Sequence, residues 1–289
     1  MDLIPQLVLS GLATGCIYAL LALAVVTIYR SSGHLNFAQG EMAMFSTYVA
    51  WSLLAAGVPY WIAFALTLLL SFVGGALIQR VMLQPLAEAS VLSSIIVFLG
   101  LFTIFNSMAG WIWTFSIKSF PSPFPQGSLF GLIGYHQLGI TGVILLLLAV
   151  IYVFFRYSAM GLAMRAAAEN PSSARLVGVR VARMLAIGWG LAAALGSVAG
   201  ILIAPVVFLE PNMMGSILLY AFAAAVVGGI NNLGGAVAGG FLVGVLENLA
   251  GAIPFIGNEL KLTLALALIV VVLLVKPAGL FGRQTVSRV

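Results

Sequence analysis

Charge is scarce in this chain. Asp, Glu, Lys and Arg make up 7% of its 289 residues, against 63% hydrophobic ones. Soluble domains sit near about 25% and about 45–50%. So few polar side chains cannot cover a water-facing surface, which excludes an ordinary soluble globule and makes lipid the solvent. Cysteine is nearly absent. Cys16 stands alone in the first apolar run, so there is no disulfide framework. The two histidines, His34 and His136, fall in different loops, and no metal site is expected. None of the three lysines follows a glycine, so the phosphate-cradling G-x-x-x-x-G-K-[ST] loop is missing. H-E-x-x-H, C-x-x-C and G-x-S-x-G are missing too. The acids Asp2, Glu41, Glu88, Glu169, Glu210, Glu247 and Glu259 are scattered, with no pair placed for acid–base work. The chain is therefore not expected to be an enzyme or to bind a cofactor directly. Transport energised by ATP would need its ATPase on a separate chain. The first basic residue, Arg30, follows the first apolar run, so no cleavable signal is expected.

What is present is apolar helix. Stretches at 7–29, 40–56, 60–78, 92–115, 139–155, 184–209, 216–230, 236–252 and 260–275 each hold enough apolar residues to be read as a span. The expected fold is an all-α, polytopic transmembrane helical bundle of about 8–9 spans, forming one transmembrane domain over 1–289. The least regular stretches are the second and the seventh–eighth pair, which are short and glycine-rich. With nine spans the termini lie on opposite sides. Placing the C-terminus in the cytoplasm and the N-terminus outside leaves only Lys118 and Lys261 of the 12 basic residues outside, as the positive-inside bias requires. The net charge of +5 thus follows from membrane topology and does not point to nucleic acid.

Small residues recur four apart. Gly11, Gly15 and Ala19 share a face of the first span, and Gly188, Ala192, Gly196 and Gly200 a face of the sixth. Ala236, Gly240, Gly244, Glu247 and Gly251 share one on the eighth. Such faces let helix backbones approach closely, so these helices are expected to meet protein there. Glu247 on that face is costly in lipid, about 2.5–3.5 kcal/mol on insertion scales, and is expected to face the bundle or a wet cavity. The polar stretch 31–44 holds His34, Asn36, Gln39 and Glu41 between Gly33 and Gly40. It reads equally as backbone lining a cavity or as a plain cytoplasmic turn with Glu41 in a first helical turn.

Residues 156–183 are the only long stretch suited to water, with Arg156, Arg165, Arg175, Arg180 and Arg183. Ser158 is placed to cap a helix over 159–169. Asn170 is placed to cap a second, with Pro171 at its first position and Gly178 past its end. Two capped helices make a rigid knob for a partner, or an interfacial element resting on headgroups. The outer loop 116–138, with Pro121, Pro123 and Pro125, reads as an irregular cap that a soluble partner could meet, or as a plain connector.

Three motifs, in order along nearly the whole chain, resemble the permease subunits of branched-chain amino acid ABC transporters, and among these the shorter LivH-type subunit. They are GHLNFAQGE (33–41), MGLAMRAAAENPSSARLVGV (160–179), and the pair GGINNLGGAVAGG (228–240) and KPAGLFG (276–282). Family members commonly carry histidine where this chain has Gln39, and a polar or basic residue at Leu162. The resemblance implies an ATP-driven importer in a bacterial inner membrane. Its expected partners are two cytoplasmic ATPase subunits, a second permease subunit that is a distinct chain, and a periplasmic amino-acid-binding protein. Residues 161–178 would then be the coupling segment. Arg165, Glu169 and Asn170 would be its polar contacts and Ala166, Ala168 and Ala174 its packing surface, with Gly161, Pro171 and Gly178 shaping it. Asn36, Gln39, Gly40 and Glu41 would sit near the path, with Glu247 a further candidate. The competing readings are a passive channel and a proton-coupled transporter for a small polar solute such as an amide or urea.

Overall fold

The structure, a computed structural model, describes residues 3–86, 90–129, 133–253 and 260–282. Eleven α-helices follow one another: α1 (Leu3–Ser32), α2 (Gln39–Ala55), α3 (Tyr60–Ile78), α4 (Val91–Trp113), α5 (Tyr135–Tyr157), α6 (Ala159–Glu169), α7 (Pro171–Leu176), α8 (Val181–Val207), α9 (Gly215–Gly228), α10 (Leu233–Gly251) and α11 (Lys261–Val275). Between α4 and α5 lies a short antiparallel hairpin of β1 (Ser128–Leu129) and β2 (Ile133–Gly134), with Ser128 opposite Gly134. All of the helices but α6 and α7 coincide with the nine apolar stretches. Among the described residues six, with ends at Ile4–Arg30, Tyr60–Leu86, Leu92–Trp113, Tyr135–Tyr157, Val181–Val207 and Leu233–Gly251, are long and apolar enough to cross a membrane. The apolar α9 and α11 are shorter. Large apolar side chains stand exposed along α3 and α4, among them Leu66, Leu69, Val73, Ile96, Leu99 and Trp111. A multi-pass helical membrane protein explains them, because hydrocarbon rather than water meets those faces.

Several boundaries differ from the sequence reading, and two of them bear on the fold. The third helix does not stop at Ile78 but continues through a π-helical stretch, Gln79–Leu83, and a 3-10 turn, Gln84–Leu86. Gln79 and Arg80 look like a span end in sequence. The helix absorbs them by widening one turn before Pro85 removes a backbone donor. α5 begins at Tyr135, inside the stretch expected to be outer loop.

The chain divides into two compact units. One comprises Met1–Val26, Phe124–Leu145 and Ser216–Val289, the other Thr27–Pro123 and Leu146–Gly215. In the first unit α1 crosses α10 through small residues. A Cβ on Gly11 would come within 2.7 Å of Val245 Cα, and one on Gly15 within 3.0 Å of the Gly240 carbonyl oxygen. The α9–α10 turn is clasped by the segment after α11. Asn232 Oδ1 accepts from Gly235 N–H at the start of α10, while its Nδ2 donates to the Phe281 carbonyl at 2.9 Å. Leu280 and Phe281 N–H donate to the Val227 and Gly228 carbonyls. The two glycine-rich motifs 228–240 and 276–282 thus form one joint.

In the second unit α8 is the central post, packed by α2 and α3. A Cβ on Gly196 would come within 2.7 Å of Gln39 Nε2, and one on Gly200 within 2.9 Å of the Ala43 carbonyl oxygen. On the α3 side, a Cβ on Gly75 would meet the Trp189 carbonyl oxygen at 2.6 Å. The four-residue spacing of small residues on α8 is what lets α2 lie against it without intervening side chains.

Candidate functional site

The second unit holds a helix start in its interior. Gln39 Nε2 donates to the Ala192 carbonyl at 2.9 Å. From Val181 to Ala192 along α8 is about 16 Å at 1.5 Å per residue. Farther along α2, Ala43 lies against Gly196 and Thr47 against Gly200, so the two helices run in the same direction. α2 therefore begins opposite the middle of α8, not beside its end. His34, by contrast, shares a cavity wall with Val181 and Ala182 at the start of α8. Between His34 and Gln39 the chain makes a turn at Phe37 and Ala38, with Gln39 N–H donating to the Asn36 carbonyl. Gly33, with φ 73°, turns the chain away from the end of α1.

This start is buried, and its polar side chains are hydrogen-bonded to protein groups. Asn36, Gln39 and Glu41 are 0%, 0% and 3% exposed. Asn36 Oδ1 accepts from Ala38 N–H at 3.0 Å, which fixes the turn into α2. Asn106 on α4 ties the first turn down. Its Nδ2 lies 3.3 Å from Glu41 Oε2, 3.0 Å from the Pro211 carbonyl and 3.1 Å from Asn212 Oδ1. A helix N-terminus inside the protein presents unpaired N–H groups and a partial positive charge, the surroundings an anionic ligand group seeks. The carboxylate of Glu41 beside it suits a cationic group. A zwitterion meets both needs at one place. Of the residues expected near a path, Asn36, Gln39, Gly40 and Glu41 gather here, whereas Glu247 belongs to the other unit.

Glu247 has a partner that sequence reasoning missed. Tyr18 on α1 donates to Glu247 Oε2 at 2.7 Å, and the Tyr18 ring stacks on Tyr220 with centroids 5.0 Å apart. The Gly11–Gly15–Ala19 face that packs on α10 also brings Tyr18 to Glu247. A tyrosine in a span is too common a sight for sequence to single it out.

The segment after α5 is built as two capped helices. Ser158 Oγ accepts from Gly161 N–H at 2.8 Å at the start of α6, and Asn170 Oδ1 accepts from Ser173 N–H at 2.9 Å at the start of α7. Pro171 stands at the first position of α7, and Gly178, φ 85°, follows its end. Gly161 is required by contact, since a Cβ there would run into the Phe154 carbonyl and come within 2.7 Å of Phe155 Cα. Ala167, Ala174 and Val181 form a small core to which Ala166 adds, joining α6 and α7 to α8. Ala174 thus faces into the chain. The outward apolar side chains are Leu162, Leu176 and Val177, at 60%, 88% and 78% exposed, which sequence reasoning did not single out. Arg165 is half-buried, Ala168 likewise, while Glu169 and Asn170 are exposed. Glu169 and Arg165 both lie close enough to Arg30 to act on its charge.

Among the described residues, no three His, Cys, Asp or Glu side chains gather as a metal site.

Residues 7–273 match the sequence profile of the family described as the permease component of branched-chain amino acid transport systems. The chain belongs to that family. Its relatives there include the high-affinity branched-chain amino acid transport system permease protein LivH of Salmonella typhimurium, 31% identical over 98% of this chain and 97% of that protein. LivH of Escherichia coli K12 is 30% identical over the same shares, and BraD of Pseudomonas aeruginosa is 32% identical over 98% and 97%. Among solved structures, PsaBC from Streptococcus pneumoniae in complex with Fab has a similar fold. It covers 91% of this chain and 89% of that one at 15% identity, with a TM-score of 0.50. As a member of the family the chain is a transport permease component. All three motifs that carried the resemblance fall on structural joints: the interior start of α2, the capped pair α6–α7, and the clasp between 228–240 and 276–282.

Proposed function

We propose that this chain is one of the two permease subunits of an ATP-driven importer for branched-chain or other hydrophobic amino acids. It sits in a bacterial inner membrane, with residues 1–289 serving as one permease domain. The single observation that carries the coupling role is the α6–α7 pair. It is capped at both starts, keyed to α8 by Ala167, Ala174 and Val181, and bears exposed Glu169, Leu176 and Val177. A connector between spans has no need of that rigidity. A lever that passes a push from an ATPase to α8 does. In this arrangement α6–α7 lies in the cytoplasm, the C-terminus lies on the same side, and the N-terminus lies outside, as the placement of Arg156, Arg165, Arg175, Arg180 and Arg183 favours. α2 then starts within the membrane and completes only the outer part of a crossing, which brings its N-terminus to mid-depth where substrate must pass. The carboxylate of an amino acid would meet the α2 start and its ammonium Glu41, while selection among side chains is left largely to a periplasmic binding protein. A second permease chain completes the path, and two ATPase chains hydrolyse the ATP.

The test is uptake of labelled leucine by vesicles holding the purified permease chains, with ATPase and binding protein added in turn. The proposal expects uptake only with ATP and both additions. Flux through the permease alone would identify a channel. Uptake driven by a pH gradient without ATP would identify a proton-coupled transporter and turn attention to Glu247 and Tyr18.

A further inference from the structure

Beside the interior site the second unit contains a cavity of about 500 Å³, within the range that holds small-molecule ligands. Its walls come from the end of the first helix, the π-helical stretch after α3, the start of α4, α7 and the start of α8. Two features make it more than a packing gap. Gln79, on the π-helical stretch, is 3% exposed, and its Oε1 is fully enclosed with no hydrogen-bond partner in the protein. A buried carbonyl left so is costly, and π-helical insertions recur at functional sites. Opposite chemistry lines the same cavity. Phe98 and Trp189 are stacked, with centroids 6.0 Å apart and each 1% exposed, and Arg175 reaches it from α7. Along α8 the cavity spans Val181 to Trp189, one turn short of Ala192, where α2 begins. It therefore lies on the α7 side of the interior site.

We propose that this cavity is a second amino-acid site on the product side of the permease. It takes an apolar α-amino acid, with the Gln79 side chain turning its Oε1 into the cavity to accept from the ammonium, the carboxylate on Arg175 and the side chain against Phe98 and Trp189. An occupant would tie α7 to the tail of α3, and so hold the segment proposed to receive the push of the ATPase. Accumulated product then slows its own import. The inference rests on the importer reading above.

The experiment uses the complete transporter in vesicles, with ATP and increasing unlabelled leucine on the α7 side, and follows the initial rate of ATP hydrolysis. For the wild type, leucine should lower the rate. Gln79→Leu, which removes the acceptor, and Ser94→Leu, which fills the cavity, should each raise the half-inhibiting concentration at least tenfold at unchanged uninhibited rate. A photoreactive leucine analogue added to the wild-type permease without binding protein should label the cavity wall, at Phe98 or Trp189, which needs no variant to fold. Labelling elsewhere only, or half-inhibition unmoved in a folded variant, would overturn the site. So would a phospholipid retained by the wild type and lost from the variants, because it assigns the cavity to lipid. Absence of ATP-driven uptake in the wild type would instead sink the importer reading itself.

Discussion

Two asparagines start two helices in this chain, and they do so in opposite surroundings. Asn36 turns the chain into α2 with 0% exposure, inside the second unit. Asn170 caps α7 at the surface. Asn36 makes its turn two residues before the N-cap, accepting from Ala38 N–H, whereas Asn170 is the N-cap itself and accepts from Ser173 N–H, and what depends on each differs too. At the surface, water replaces a lost partner and the cap sets only the rigidity of a knob. In the interior Asn36, Gln39, Glu41 and Asn106 are held by hydrogen bonds to protein groups, and every change there falls on the place where substrate is proposed to pass. One region is proposed to be touched by a protein, the other to be passed by a small molecule. The contrast lies in the solvent around each helix start more than in the residues.

The largest expected effect comes from separating α2 from its post. Gly200→Leu drives a side chain into Thr47 and the Ala43 carbonyl, and overpacking of this kind costs about 1–3 kcal/mol or more. We expect loss of the monodisperse peak in size-exclusion chromatography after solubilisation. An unchanged profile and normal uptake would mean the α2–α8 contact is dispensable. Next is the interior cap. Asn36→Ala leaves the buried Ala38 N–H unpaired, a cost of about 1–3 kcal/mol, and should lower the apparent Tm of the detergent-solubilised protein along with uptake. Glu41→Gln preserves the hydrogen bond to Asn106 in shape but removes the charge. It should leave insertion and Tm intact and cut leucine uptake about tenfold, equivalent to about 1.4 kcal/mol. Equal uptake by Glu41→Gln and wild type would remove the carboxylate from the path. The smallest effect belongs to the surface cap. Asn170→Ala should destabilise α7 by about 1 kcal/mol and Asn170→Gly by a few tenths, read as faster hydrogen exchange at Ser173 and Ala174 with Tm nearly unmoved. If Asn170→Ala proved as damaging as Asn36→Ala, the distinction between the two starts would fail.

Much of this was legible in the amino-acid order. Scarcity of charge and runs of apolar residues mark the helices, and Ser158, Asn170, Pro171 and Gly178 announce α6 and α7 with their boundaries. Small residues four apart on α1, α8 and α10 announce contact faces, because close backbone approach leaves no alternative to Gly or Ala. Depth was not legible. Nothing in GHLNFAQGE tells that α2 begins opposite Ala192 rather than beside Val181, since a polar turn and a polar interior start need the same residue types. Nor were the partners Tyr18, Asn106 and Asn212. Each is one uncharged polar residue in or beside an apolar helix, and only tertiary contact distinguishes it from any other. Gln79 misled for the same reason, as a glutamine before an arginine looks like the end of a span whether or not the helix continues. Faces were hard to assign throughout, because in lipid both the buried and the exposed side of a helix are apolar.

The most direct test of the central claim, that α6–α7 is where a separate ATPase drives this permease, is to purify the tagged chain gently and identify what comes with it. The account predicts an ATPase chain in stoichiometric amount from the wild type. It should be lost from Glu169→Lys and from Arg165→Glu while both variants remain inserted and folded, with ATP-driven uptake lost in step. An ATPase retained at full stoichiometry by both variants, with uptake unchanged, would contradict it.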